Sequence, residues 1–428
     1  MIGFIIATFL IGYAAIAFEH QTKINKAAPA LITGVICWTI YILNATDKHI
    51  VNEQLAESLG EYSGILFFLM GAMTIVAIID SHDGFQIITR RITTINKRKL
   101  LWIISLLTFF LSPFLDNLTT TIVMVSLMKK LVQNTEDRHY FVGMIVIAAN
   151  AGGAWSPIGD VTTTMLWLGG QITAANIMIK LFLPSIVSLL VPLLLLSKRM
   201  KGNIDRAGVE AVQHTKVPVS PHRQWIVFLS GLLLLISVPV FKTLTHLPPY
   251  MGILIALGIM WIITEITGGN QEESERYGLS PAYALRRIDA SSILFFLGIL
   301  LSIGVLQASG ILTTAASWLS ATVGNINVIV LAIGLLSAIV DNVPLVAATQ
   351  GMYSLAQYPT DHYFWEFIAY ATGTGGSALI IGSAAGVAAM GLSNTNFFWY
   401  LKRITWLALA GYFAGAAIYI LQEVFFHF

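Results

Sequence analysis

Charge is what this chain is shortest of: Asp, Glu, Lys and Arg make up 11% of its 428 residues, against 56% hydrophobic residues and a mean hydropathy of +0.76. That leaves too little polar surface to coat a soluble fold, so the chain reads as an all-α polytopic membrane protein. A net charge of +2, with the basic residues scattered among short loops, argues against nucleic acid as a partner. The single cysteine, Cys37, lies in an apolar run and excludes an internal disulfide. No basic segment precedes the apolar residues 2–18, and a counterpart run recurs in the second half, so this stretch reads as a retained helix rather than a signal peptide. No nucleotide-binding loop, metal-hydrolase motif or nucleophile elbow is present, which argues against an enzyme and calls for no cofactor.

What the chain has is apolar runs. Eight are long enough for spanning helices of about 20 residues: 2–18, 28–43, 62–80, 176–197, 223–244, 249–268, 290–309 and 404–424. Two more, about 140–168 and 363–391, are interrupted by glycine-rich polar stretches and are expected to be discontinuous helices. The remainder, 100–113 with 117–128 and 326–340 with 343–356, are apolar pieces meeting at an Asp-Asn pair. At 1.5 Å per residue, pieces of about 11 to 15 residues reach halfway across a bilayer, so both pairs are expected to be re-entrant hairpins, at about 100–128 and 326–356.

The basic residues orient this scheme. With hairpins that do not cross, one face collects 21 Lys and Arg and the other only Lys48, Lys180 and Lys242. Cytoplasmic loops carry that excess, which puts both termini outside. The halves also resemble each other: ILFFL at 65–69 recurs at 293–297, and Asp116-Asn117 recurs as Asp341-Asn342, 225 residues on. Residues 1–200 and 223–428 are therefore expected to be repeats, each of five spanning helices and one hairpin, joined by a cytoplasmic linker at 201–222. An odd number of crossings inverts the second copy, a plan of secondary transporters with a site near the bilayer midplane.

Four polar breaks would meet at that midplane. A small cation takes hard oxygen ligands from carboxylates, amides, hydroxyls and carbonyls. The first half offers Asp116, Asn117 and Thr119 to Thr121 at its hairpin tip, and Asn150, Ser156, Asp160, Thr162, Thr163 and Thr164 at its helix break. The second offers Asp341, Asn342, Thr374, Ser377 and Ser383. Aligned on the double glycines, Asp160 falls opposite Ser383, so only the first half carries a second acid. The expected binding set is Asp116, Asn117, Thr120, Asn150, Ser156, Asp160, Thr162, Thr163, Asp341, Asn342, Thr374 and Ser377, with Asp116 and Asp160 as the shared ion ligands. A desolvated carboxylate holds its proton more tightly and a bound cation loosens it, so the two compete for the same oxygens. Such competition produces antiport.

An Asp or Asn beside a helix break is also a good N-cap, which leaves Asn117 and Asn342 open between cap and ligand. A cap needs no ionisable group, however, and burying one at the midplane costs at least ~2.5 kcal/mol, which favours function for the aspartates. The histidines, including His49 and His82, fall in loops or at segment ends and read as solvated. Lys180 and Lys242 read as snorkelling near helix ends, Glu366 as interfacial, and Asp47, Glu53, Glu57 and Glu61 as a solvated amphipathic segment.

The pairing of SPFLDNLTTT (112–121) with NAGGAWSPIGDVTTT (150–164), and of SAIVDNVPLVAAT (337–349) with TGTGGSALIIGSAAG (372–386), resembles the NhaD family of bacterial sodium/proton antiporters over essentially the whole chain. The resemblance implies Na⁺ or Li⁺ export in exchange for protons across the bacterial cytoplasmic membrane, a homodimer and an elevator-like motion. It also implies roles for Asp116, Asn117, Asn150, Asp160, Thr162, Thr163, Asp341, Asn342 and Ser377. A Na⁺-coupled symporter of small carboxylates, from the same superfamily, is the alternative, disfavoured because acids at both tips repel an anion. A passive pore would need a continuous polar path rather than patches at opposed breaks.

Overall fold

The structure is a computed structural model that describes residues 1–17, 19–89, 92–205, 219–268 and 278–426. The described residues are helical throughout, apart from turns and one isolated backbone bridge between Asn96 and Asn203. The expected linker at 201–222 lies outside the described residues over 206–218, as do Arg90, Arg91 and Arg276.

The first half runs α1 (Ile2–Ala17), α2 (Ala27–Asn44), α3 (Lys48–Ser81), α4 (Lys97–Leu115), α5 (Asn117–Leu131), α6 (Thr135–Gly153), α7 (Val161–Leu168) and α8 (Ala174–Ser197). The second runs α9 (Pro221–Thr245), α10 (Pro249–Thr267), α11 (Ala290–Ala308), α12 (Ile311–Val323), α13 (Ile326–Leu336), α14 (Asn342–Met352), α15 (Tyr363–Gly375), α16 (Ala384–Ser393) and α17 (Thr405–Phe426). Starts are marked by side-chain caps: Asp47 accepts from the His49 amide at 2.8 Å, Asn96 from Lys99 at 3.1 Å and Asn134 from Asp137 at 3.0 Å.

Among the described residues eight helices are long and apolar enough to cross a membrane. Seven match expected spans, with Ile2–Ala17 in the expected span 2–18 a shorter helix; the eighth is α4. The expected arm at 100–113 is thus longer than the pattern implied, because Lys97, Arg98 and Lys99 form its first turn behind the Asn96 cap. Its 19 residues span ~28 Å at 1.5 Å each, close to a full hydrocarbon core. In the second half the arms α13 and α14 have 11 residues each. One reading is filled in and another changes. Helix α3 has 34 residues, so the acidic segment with Glu53, Glu57 and Glu61 is its exposed first half. His82, expected in a solvated loop, is fully buried at its end, with Nδ1 2.8 Å from the Ile78 carbonyl oxygen.

The helices pack in two groups. In one, α2 lies along α11, and α3 packs against α9, α10 and α11. In the other, α4 packs on α6, α13 on α15, and α8 along α17, while α5 packs on α16 from the opposite half. The two pairs of arm and broken helix are joined alike. A β-carbon at Gly152 would overlap the Phe109 carbonyl oxygen, and one at Gly375 would overlap that of Gly334, so each close crossing requires glycine. Beside them, Ser112 Oγ donates to the Ala149 carbonyl at 2.6 Å and Ser337 Oγ to the Thr372 carbonyl at 3.1 Å.

Candidate functional site

Asp116 is the hinge between α4 and α5. Its backbone sits at φ 66° and ψ 161°, a conformation that costs a residue with a β-carbon about 1–3 kcal/mol and persists only where the surroundings hold it. They do: Asp116 Oδ1 accepts from the Thr119 amide at 2.7 Å, Oδ2 accepts from Thr119 Oγ1 at 2.9 Å, and the next amide, Asn117, donates to the Gly159 carbonyl at 3.0 Å. Ser156 Oγ donates to the Pro113 carbonyl at 2.8 Å, fastening the break between α6 and α7 to the same tip. The partly exposed Asp116 side chain borders a narrow crevice of about 20 Å³ with Phe68, Val76, Leu235 and Ile253.

Asp160, 2% exposed, caps α7 and is where the polar groups converge. Its Oδ1 accepts from the Thr162 amide and hydroxyl, both at 2.9 Å, and its Oδ2 from Asn117 Nδ2 at 2.6 Å. Asn342 Nδ2 stands 3.5 Å from both carboxylate oxygens, at the outer edge of hydrogen bonding. The Asn of each Asp-Asn pair therefore faces the same carboxylate. From there the network crosses the molecule: Asn117 Nδ2 also donates to Asn150 Oδ1 at 3.1 Å, and Asn150 Nδ2 donates to Ser377 Oγ and Ser383 Oγ, each at 2.9 Å.

Seven of the polar residues named from the pattern thus form one buried cluster: Asn117, Asn150, Asp160, Thr162, Ser377, Ser383 and Asn342. The others are placed differently. No hydrogen bond joins the Asp116 and Asp160 carboxylates, each being held by its own threonine. Thr163 Oγ1 donates to the Asp160 main-chain carbonyl at 2.9 Å, and Thr374 Oγ1 back to Tyr370 at 2.6 Å. The buried hydroxyls of Thr120 and Thr121 have no partner among the described residues.

Asp341, unlike the other two aspartates, makes no hydrogen bond to cap its helix. Its Oδ2 is instead 2.8 Å from the ammonium of Lys26. Lys26 was missed in the sequence, where it counts only as one more loop cation; the sole signal is its place at the edge of the apolar run 28–43. Lys180 and Glu366, expected to snorkel and to sit at the interface, form another buried pair. Glu366 is fully buried, 3.3 Å from Lys180 Nζ, and bonded by Asn176 Nδ2 and by the Tyr419 hydroxyl at 2.9 Å. A buried acid offers the lysine a better partner than headgroup water.

An open cavity of about 1210 Å³ leads toward these groups. It lies between α3, α5, α16 and the start of α11, and its lining includes Glu19, Lys26, Asp80, Thr119, Lys130 and Asp289. Thr119, which holds Asp116, and Lys26, which holds Asp341, share this one cavity.

Comparison with known proteins follows the whole chain. The family described as citrate transporter matches residues 13–375. "Sodium/proton antiporter 1" of Arabidopsis thaliana is 52% identical over 412 residues, 96% of this chain and 71% of that one. "Sodium/proton antiporter 2" of the same plant is 47% identical over 96% of this chain and 97% of its own. "Na(+)/H(+) antiporter NhaD" of Alkalimonas amylolytica is 30% identical over 100% of this chain and 92% of its own.

Proposed function

The chain belongs to the citrate transporter family and to the NhaD sodium/proton antiporters, and from that premise we propose how its residues carry the exchange. It is a multi-pass membrane protein that exchanges Na⁺ for H⁺. The observation that carries the mechanism is the convergence of Asn117 and Asn342 on the Asp160 carboxylate. Deprotonated, Asp160 is a hard anionic ligand for Na⁺ or Li⁺, with amide and hydroxyl oxygens of Asn117, Asn150, Thr162, Ser377 and Ser383 nearby to complete a shell. Protonated, the same oxygens are lost to the cation. Ion and proton therefore exclude one another at one carboxylate, and a site that turns between the two faces with either bound, never both, is an antiporter.

In this reading Asp116, through its Thr119 clamp, lies on the route from the cavity, and Asp341 sets the charge of the second tip. The duplicated order of arm, tip and broken helix supports an inverted repeat, with the half-length arms α13 and α14 suited to a re-entrant hairpin in the second half. The 21 to 3 division of basic residues supports an orientation with both termini outside the cytoplasmic membrane and the cavity open to the cytoplasm. The homodimer rests on the family likeness alone. Asp116 and Asp160 oppose a carboxylate symporter, because each repels the anion it would carry, whereas Asp341 is already paired with Lys26.

The test is exchange in everted vesicles with an imposed pH gradient. Na⁺ collapses the gradient in the wild type, and Asp160→Asn, which keeps the shape and loses the charge, reduces the response to background. Undiminished exchange in that variant would remove Asp160 from the mechanism.

A further inference from the structure

The least expected contact near the site is the ion pair between Lys26 and Asp341, 315 residues apart. Both side chains are largely withdrawn from solvent, at 19% and 14% exposure. The ammonium also sits 4.2 Å above the ring centre of Phe295 on α11, which steadies a cation on that side. At the start of α2, Lys26 is held in place as its amide donates to Glu19 Oε1 at 3.1 Å. The pair brings the start of α2, which packs along α11, to the tip between α13 and α14, and α14 itself packs on α11. Asp116 and Asp160 both spend a carboxylate oxygen on capping their own helix, and Asp341 does not. Its charge is answered from outside the tip.

We propose that Lys26 is a tethered cation that occupies Asp341 in the cavity-open conformation, and that Na⁺ entering through the cavity must displace it. The inference rests on the antiport reading above and adds Asp341 to it as a carboxylate that the entering ion meets besides Asp160, with Lys26 as the residue that tunes the affinity. A carboxylate without a counterion in a low-dielectric setting is costly, so an empty tip needs a cation. Lys26 supplies one from the chain itself, on the wall of the cavity by which the transported ion arrives. A tip occupied by the ammonium for most of the time is competent for Na⁺ only for the remaining fraction, and the apparent affinity is weakened by that fraction. Lys26 is thus a positioning residue, and its effect falls on the substrate affinity.

The test uses the full-length protein in proteoliposomes, with Na⁺-driven proton flux measured over a range of Na⁺ concentrations. Lys26→Gln is expected to lower the KM for Na⁺ by about threefold or more, and Lys26→Arg, which keeps the charge, to leave it near the wild-type value. A KM that is unmoved or raised in Lys26→Gln overturns the proposal. A second measurement needs no variant: acylation of lysines by a water-soluble succinimidyl ester, read by mass spectrometry in Na⁺ and in choline at equal ionic strength. Na⁺ is expected to raise labelling of Lys26 but not of Lys130 on the same cavity wall, and equal labelling of Lys26 in the two salts overturns the proposal. A wild-type protein that exchanges no Na⁺ at all overturns the antiport reading and this inference together; exchange with an unmoved KM overturns this inference alone.

Discussion

Of the acids in the first half, Asp160 is the one both asparagines face, and Asp116 is the one whose backbone is bent to fit. Both were legible as unusual in the sequence, because an ionisable group amid apolar residues demands a reason. Their division of labour was not, since it depends on which way each side chain leaves the turn. The same limit applies to His82. It lies just past the apolar run 62–80 and reads as solvated, yet the ring is fully buried at the end of α3. Burial pushes its imidazole down to about 4, only partly offset by the bond to the Ile78 carbonyl. In the unfolded chain the group titrates near 6.5, so between these values the unfolded state binds a proton that the folded state refuses. Its contribution is present in full above about pH 6.5 and is lost as pH falls toward 4, at about 1.4 kcal/mol per unit. In detergent solution the melting temperature should therefore fall more steeply between pH 6.5 and 4.5 in the wild type than in His82→Gln. Parallel slopes would count against this account.

At the scale of elements, the breaks matter more than the helices. The sequence marks them plainly: α6 stops at Gly153 and α15 at Gly375, within the two glycine-rich stretches, because the glycines there admit a neighbouring main chain that a β-carbon would exclude. Overpacking of such a crossing costs about 1–3 kcal/mol. Gly152→Ala and Gly375→Ala should each lower the melting temperature and the exchange rate. Gly258→Ala, where nothing lies within 4 Å of the added carbon, should leave both unchanged or slightly improved. Equal behaviour of the three variants would contradict the packing described for these crossings. Lengths were harder to read. Lysines and an arginine in the first turn of α4 hid its full extent from a search for apolar runs, and the 13 residues of α12 were too few to register as a span.

For the whole molecule the decisive feature is the open cavity against the first tip and Lys26. Its existence could not be inferred from pattern, because its walls come from α3, α5, α11 and α16, whose contacts cross between distant parts of the chain. Ser126 on α5 lies in that wall close to Lys130, on the face expected to be cytoplasmic. With the buried Cys37 replaced by serine, Ser126→Cys should react with a membrane-impermeant maleimide in everted vesicles and stay unlabelled in right-side-out ones; the reverse pattern would invert the orientation. Asn150 has a consequence of another kind, in time rather than space. The acceptor at Ser377 is 227 residues farther along the chain, and at about 5–20 residues per second it is made roughly 10 to 45 s later. Until then a first half already in the bilayer carries amide hydrogens with no acceptor from its twin. The nascent protein is an orphan awaiting its other half, and that interval is when a membrane chaperone or protease would find it most exposed.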